Sequence, residues 1–296
     1  MDSERTPLPS TLSPSHHPTL PTPPAHHRPI PCTTCSKLAV ELYCSGTIAA
    51  MPKSRSQLKI LLVQIRDDEA TRLEEFDEFV RFSQLEPEQI AVLDVFKTPD
   101  FDPACVDAYD ALFVGGSSDA SVTQPEIYPF IKPTERLLLY CLQESLPVFA
   151  SCYGFQAAVE ALGGKVILDK DNMEMGTYPI WLTDAAKDDL LFHDVPDGFW
   201  AISGHKERAL SMPKEATLLA YSDRCPYHAF KIQGKPFYGF QFHPEVDAPD
   251  LVARITRYQT RYLKDADHLN EVLRDLQDTT IANQLITKFV DRILLD

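Results

Sequence analysis

Pro147-Val148-Phe149-Ala150-Ser151-Cys152-Tyr153-Gly154-Phe155-Gln156 is the stretch on which the reading of this chain turns. A short apolar run delivers one cysteine into small residues and then into a helical pattern. It therefore predicts a strand, a sharp turn with Cys152 at its apex, and a helix opening near Tyr153. Ala150 and Gly154, two residues to either side of Cys152, are small enough to let two backbone segments crowd together, the steric demand of a nucleophile elbow. Ala157, Ala158, Val159 and Leu162 carry the helix on until Gly163-Gly164 stops it. Such a helix aims its N-terminal amides and positive dipole end at the thiol and favours the thiolate. Cysteine in an arbitrary context is usually a buried filler, but one on a strand-turn-helix is placed as a nucleophile.

A thiol used this way needs a base to take its proton and a carboxylate to fix the base's tautomer. Pro236-Phe237-Tyr238-Gly239-Phe240-Gln241-Phe242-His243-Pro244-Glu245 can supply both. Phe237 to Phe242 reads as a buried strand, His243 follows it, and Pro244 blocks continuation of the ladder. His243 and Glu245 are thereby freed from the fixed same-face relation of residues two apart in a strand.

Around these two stretches strands alternate with helices. Residues 59–65 read as a first strand, and Asp67 or Asp68 caps a helix whose Leu73, Phe76, Phe79, Val80 and Phe82 recur at helical spacing. Ile90 to Phe96 and Tyr109 to Val114 are further strands, the latter ending in Gly115-Gly116, where backbone amides can turn toward a ligand. Thr134 to Ser145 is a helix. Short strands are expected at 165–168, 177–182, 199–203, 217–221 and 229–232, then helices over 248–263 and from about 268 to 294. The expected class is α/β: three layers, a mostly parallel central sheet with helices on both faces, ligands at the carboxyl ends of its strands, and a small antiparallel extension.

Cys-Tyr-Gly-Phe-Gln at 152–156, Gly115-Gly116 after a strand, and His243-Pro244-Glu245 together resemble the class I, or triad, glutamine amidotransferases over roughly residues 58–250. The style is that of the amidotransferase part of GMP synthetases and of plant γ-glutamyl peptidases. The resemblance implies a flavodoxin-like fold and a triad of Cys152, His243 and Glu245. It also implies an oxyanion hole from the backbone N–H groups of Gly116 and Tyr153, and a substrate pocket bordered by Gly115, Gln156 and His205. The substrate implied is glutamine or a γ-glutamyl compound, attacked through a glutamyl thioester, with ammonia released to an unknown acceptor that a separate synthetase subunit could carry. No cofactor and no metal are implied. Two departures stand out: the family usually has glycine two residues before the nucleophile and an aliphatic residue between, where this chain has Ala150 and Ser151, and Glu207 stands where the family's Asp follows the pocket histidine. A catalytically silent scaffold with the same fold is the reading from another class.

The whole chain of 296 residues, 44% hydrophobic, is long enough to bury one sizeable core, with one catalytic domain expected over 56–250 and a helical extension, 251–296, docked on it. A net charge of −15 provides no clustered Lys and Arg for phosphate backbones, which argues against nucleic acid. The longest apolar runs are strand-sized and do not approach a membrane span. Seven scattered cysteines fit a reducing cytoplasm better than a disulfide framework. Residues 1–55, crowded with Pro, Ser, Thr and His, read as a disordered leader without a targeting signal. Cys32 and Cys35 with His16-His17 and His26-His27 make at most half a zinc site, and Met51 is a candidate natural start.

Overall fold

Residues Ile60–Ile65 (β1) are buried at every position, and their alternation shows why the sheet needs cover on both faces: Ile60 and Leu62 point to one side, Leu61 and Val63 to the other. The computed structural model describes residues 53–258 and 266–295. The leader reading over 1–52, its cysteine and histidine pairs and Met51 lie outside the described residues.

Five strands are parallel. β1 pairs with Ile90–Asp94 (β2) on one side and Ala111–Ser117 (β3) on the other, β3 pairs with Val148–Ser151 (β4), and β4 pairs with Phe237–Phe240 (β11). The order β2-β1-β3-β4-β11 is that of a flavodoxin-like sheet. From β11 the same sheet continues antiparallel through Ala229–Ile232 (β10), Ala216–Tyr221 (β9), Glu174–Leu182 (β6) and Phe199–His205 (β7). Lys165–Leu168 (β5) and Glu207–Ser211 (β8) make a separate two-stranded ribbon.

The helices follow from their caps and apolar faces. Glu69–Ser83 (α1) opens where the Asp68 carboxylate accepts from Thr71 N–H, and it lies on the Ile60/Leu62 face through Phe79. The same face receives Thr280–Phe289 (α6), whose Phe289 ring meets Phe113, Phe149 and Tyr238; deleting such a ring from a core costs about 3–5 kcal/mol. Ile131–Glu144 (α2) and Tyr153–Ala161 (α3) cover the opposite face, with Leu137, Leu138, Phe155 and Val159 against Leu61, Val63, Leu112 and Val114. A third cluster joins Met175 and Ile202 to Leu251 and Ile255 of Ala248–Arg257 (α4) and to Val272 of Ala266–Asp275 (α5).

Several expected boundaries move. The helix expected from about 268 to 294 is two helices, because Asp278 accepts from Thr280 N–H and Oγ1 and starts a new one; a π-helical turn, Val290–Leu294, then ends it. β11 stops at Phe240 rather than Phe242, although Gln241 N–H still bonds the carbonyl of His228 in the β10–β11 register. β6 begins at Glu174, three residues early, and β8 was not expected: Glu174-Met-Gly and Glu207-Arg carry no apolar alternation. The helix expected over 248–263 is described only as far as Tyr258.

Candidate active site

The carboxyl ends of β1, β3, β4 and β11 meet at one edge, and each delivers a side chain or turn to it. β4 ends at Ser151 and α3 begins at Tyr153, so the chain must reverse at Cys152, which it does with φ 48° and ψ −96°. A non-glycine residue there costs on the order of 1–3 kcal/mol. The surrounding structure holds the turn: Cys152 N–H donates to the carbonyl of Phe240 at 2.7 Å. A Cβ on Gly154 would stand 2.7 Å from the carbonyl oxygen of Val114, so only glycine lets α3 lie this close to β3.

His243 N–H donates to the Ile202 carbonyl at 2.8 Å, and its Nδ1 lies 2.7 Å from Glu245 Oε1. Glu245 is fully buried and also accepts from Ser151 Oγ, at 2.8 and 2.7 Å to its two oxygens. Burial opposes ionisation of Glu245, but His243 and the Ser151 hydroxyl outweigh it and hold the carboxyl below its usual range. Burial likewise opposes a proton on His243. The Cys152 sulfur, to which the ring hydrogen-bonds, and Glu245 reverse that and raise the imidazole to about 10. The ring therefore carries its proton near neutral pH, facing the sulfur on one side and the carboxylate on the other.

Beside Cys152 opens a cavity of about 190 Å³ whose lining includes Ser117, Tyr153, Gln156, His205 and Glu207. Gln156 is engaged within the protein: its Nε2 donates to the Glu207 carbonyl at 3.0 Å and to Gln241 Oε1 at 3.3 Å, and Gln241 Nε2 points at the Cys152 sulfur from 3.8 Å. The Glu207 carboxyl accepts from Ser121 Oγ at 2.5 Å, and burial raises its pKa. His205, at the end of β7, is buried with Nε2 3.1 Å from Glu174 Oε2, and burial holds it below the usual histidine value.

One expected role is not met by the geometry. Gly116 N–H, expected to face an oxyanion, donates to Glu75 Oε1 at 3.0 Å. Glu75 comes from α1, is fully buried, and needs donors; Arg66 Nε, at the end of β1, supplies another at 3.0 Å. This pair fills the space over the glycines: a Cβ on Gly115 would stand 2.6 Å from Glu75 Oε1, and one on Gly116 2.7 Å from Arg66 Nη2 and 3.0 Å from His243 Cε1. For Tyr153, the residue sits at the first position of α3, where helix amides lack intrahelical acceptors.

Sequence reasoning missed Ser151, Arg66, Glu75 and Gln241. Ser151 carried a signal, a polar residue on an otherwise apolar strand that runs into Cys152. Arg66 and Glu75 gave none, because charged residues after a strand and on a helix are ordinarily solvated. The remaining described cysteines are free, and burial pushes the Cys141 and Cys225 thiols up to about 12. Among the described residues, His205, Cys225 and His228 form the group whose ligand atoms lie close enough together for a metal ion.

No helix among the described residues is long and apolar enough to cross a membrane. The model of the family Glutamine amidotransferase class-I matches residues 94–258, more than half of the chain. A subunit of the glutamine-hydrolyzing GMP synthase of Methanococcus aeolicus is 33% identical over 129 residues, 44% of this chain and 66% of that protein. The protein of the same description from Methanocaldococcus jannaschii is 35% identical over 118 residues, 40% of this chain and 61% of its own length. The match thus spans just under two thirds of those relatives. In fold, a glutamine amidotransferase from Thermotoga maritima superposes with a TM-score of 0.65 at 20% identity, covering 81% of this chain and 99% of that one. This chain belongs to the class I glutamine amidotransferase family.

Proposed function

We propose that the protein hydrolyses the side-chain amide of glutamine, with Cys152 as nucleophile, His243 as base and acid, and Glu245 as the group that orients the imidazole. The observation that carries this reading is the strained Cys152 turn facing an imidazole that a buried carboxylate holds at 2.7 Å. Cys152 Sγ attacks the amide carbon, and Tyr153 N–H, at the start of α3, stabilises the oxyanion. The carbon–nitrogen bond breaks and ammonia leaves with a proton from His243. Water, its proton taken by the now neutral His243, then adds to the glutamyl thioester; glutamate departs and the thiol is restored. Gly116 N–H is taken up by Glu75, so Tyr153 N–H is the donor this arrangement offers the oxyanion. Glu207, a carboxylate in the cavity wall, suits the substrate's α-ammonium group.

A second small cavity borders His243, with Ser117, Ile202, Val246 and Leu251 in its lining. Its volume of about 30 Å³ admits a molecule the size of water or ammonia and not an amino acid. A γ-glutamyl peptide is the same triad's alternative substrate. The two relatives are named as subunits of a synthase, which supports release of ammonia to an acceptor on another chain. The test offers the purified chain glutamine, glutathione and other γ-glutamyl compounds and measures ammonia and free amine separately. Ammonia from glutamine is expected; amine release alone would make it a peptidase, and neither product, even with a synthetase partner present, would make it a scaffold.

A further inference from the structure

Away from Cys152, four side chains of metal-ligating type converge where no step above uses them. Glu174 opens β6 and His205 closes β7, and the two are direct partners across that antiparallel pair. Cys225 and His228, with Cys-x-x-His spacing, lie on the loop between β9 and β10. Glu174 Oε2 stands 3.1 Å from His205 Nε2 and 2.9 Å from His228 Nε2, and the ligand atoms of His205, Cys225 and His228 lie within 4.8 Å of one another. The loop is held to this place by Ser222, whose hydroxyl donates to Glu174 Oε1 at 2.6 Å and accepts from Cys225 N–H at 2.9 Å.

We propose that Cys225, His205 and His228 bind a zinc-type divalent cation, with Glu174 as the carboxylate adjoining both imidazoles. Three features support it. The first is spacing: zinc bonds of roughly 2.0–2.3 Å put neighbouring ligands of a tetrahedron about 3.3–3.6 Å apart, and a set already within 4.8 Å reaches that by small side-chain movements. The second is charge. Glu174, Cys225 and His228 are fully buried and His205 is 5% exposed; one thiolate and one carboxylate with two neutral imidazoles balance a divalent cation, which a dry site requires. The third is an incomplete set of hydrogen bonds. With Nε2–H of His228 directed at Glu174, the ring's other nitrogen, Nδ1, is buried without a hydrogen-bond partner among the described residues. A ring that gives one nitrogen to a metal and keeps its proton on the other, toward a carboxylate, has no such shortfall, and that carboxylate–histidine–metal arrangement recurs around zinc. The metal would tie β6, β7 and the β9–β10 loop together, behind the cavity wall that His205 forms.

The test uses the untagged full-length chain, stripped with a chelator and dialysed against zinc, then against cobalt(II). Expected are one equivalent of zinc per chain by elemental analysis, a zinc-dependent rise in melting temperature, and a near-ultraviolet cobalt–thiolate absorption. Cys225→Ser and His228→Gln should lose the band, and Cys32→Ser/Cys35→Ser should keep it. The wild-type band and melting shift need no variant, so a Cys225→Ser protein that failed to fold would not shield the proposal. Wild-type protein without stoichiometric zinc or a thiolate band would overturn it. So would a band that persists in Cys225→Ser but disappears with Cys32 and Cys35.

Discussion

The molecule contains two buried groups of the same residue types. Cys152, His243 and Glu245 stand at the carboxyl edge of the parallel strands; Cys225, His205, His228 and Glu174 stand in the antiparallel half. What differs is the backbone beneath each cysteine and the space before it. Cys152 sits at a positive φ at the first turn of a helix and lines an open cavity, while Cys225 lies on an unstrained loop, fully buried, its sulfur 3.5 Å from the Tyr227 carbonyl. The imidazoles differ too: His243 contacts its sulfur and is raised to about 10, whereas His205 and His228 both turn Nε2 to one carboxylate oxygen. Residue type alone does not separate the two groups; the strain of the turn and access to a cavity do.

The largest expected effect would break this comparison if absent. Cys152→Ala should lower ammonia release on the order of 10⁴-fold or more while the protein still melts cooperatively, and Cys225→Ala should leave the chemical step intact. Loss of chemistry in the second and not the first would exchange the two roles. His243→Ala should match Cys152→Ala, and adding Glu245→Gln to it should cost little more, because members of one unit do not contribute additively. Additive losses in that double mutant would place Glu245 outside the unit.

Next in size is the buried pair over the Gly115-Gly116 turn. Glu75→Ala removes the carboxylate of the buried Arg66–Glu75 pair and should destabilise the chain by about 3–5 kcal/mol in urea unfolding. If Glu75→Gln, which keeps an acceptor for Gly116 N–H, destabilises as much, the charge of Glu75 matters and not the hydrogen bond to the glycine.

These effects also show what was legible. The strand-turn-helix around Cys152 and the Phe237–Glu245 stretch could be read because a nucleophile elbow and a proline stop are local, steric demands written in adjacent residues. The parallel character of the sheet followed from the alternation of strands and helices. The Glu75–Gly116 contact joins residues 41 apart, and Glu174 meets His205 and His228 across 31 and 54 residues; no periodicity in a single sequence reports such meetings. The break at Asp278 was missed because a local carboxylate turn inside a continuous apolar period is masked by that period.

Smaller effects sharpen the triad side. Ser151→Ala removes one of the donors to Glu245 and should cost about 1.5–3 kcal/mol of stability, with kcat lowered about tenfold and KM little changed. The same fall after Ser151→Thr, which keeps the hydroxyl, would mean that space and not the hydrogen bond is at stake. For pH, the folded value of His243, about 10, lies above the unfolded value of about 6.5. Its contribution to stability is thus full below about pH 6.5 and is lost as pH rises through 10. The difference in unfolding free energy between wild type and His243→Gln should shrink across that window; a difference that stays flat there would mean a ring already neutral in the folded protein.

The central claim, that Cys152 and not Cys225 carries the chemistry, is tested most directly by trapping the covalent intermediate. The full chain, turning over glutamine, is quenched in acid, digested, and its cysteine peptides are weighed. The expected result is a glutamyl adduct on the Cys152 peptide alone, absent when glutamine is omitted. Ammonia release with the adduct on Cys225, or on no cysteine, would contradict it.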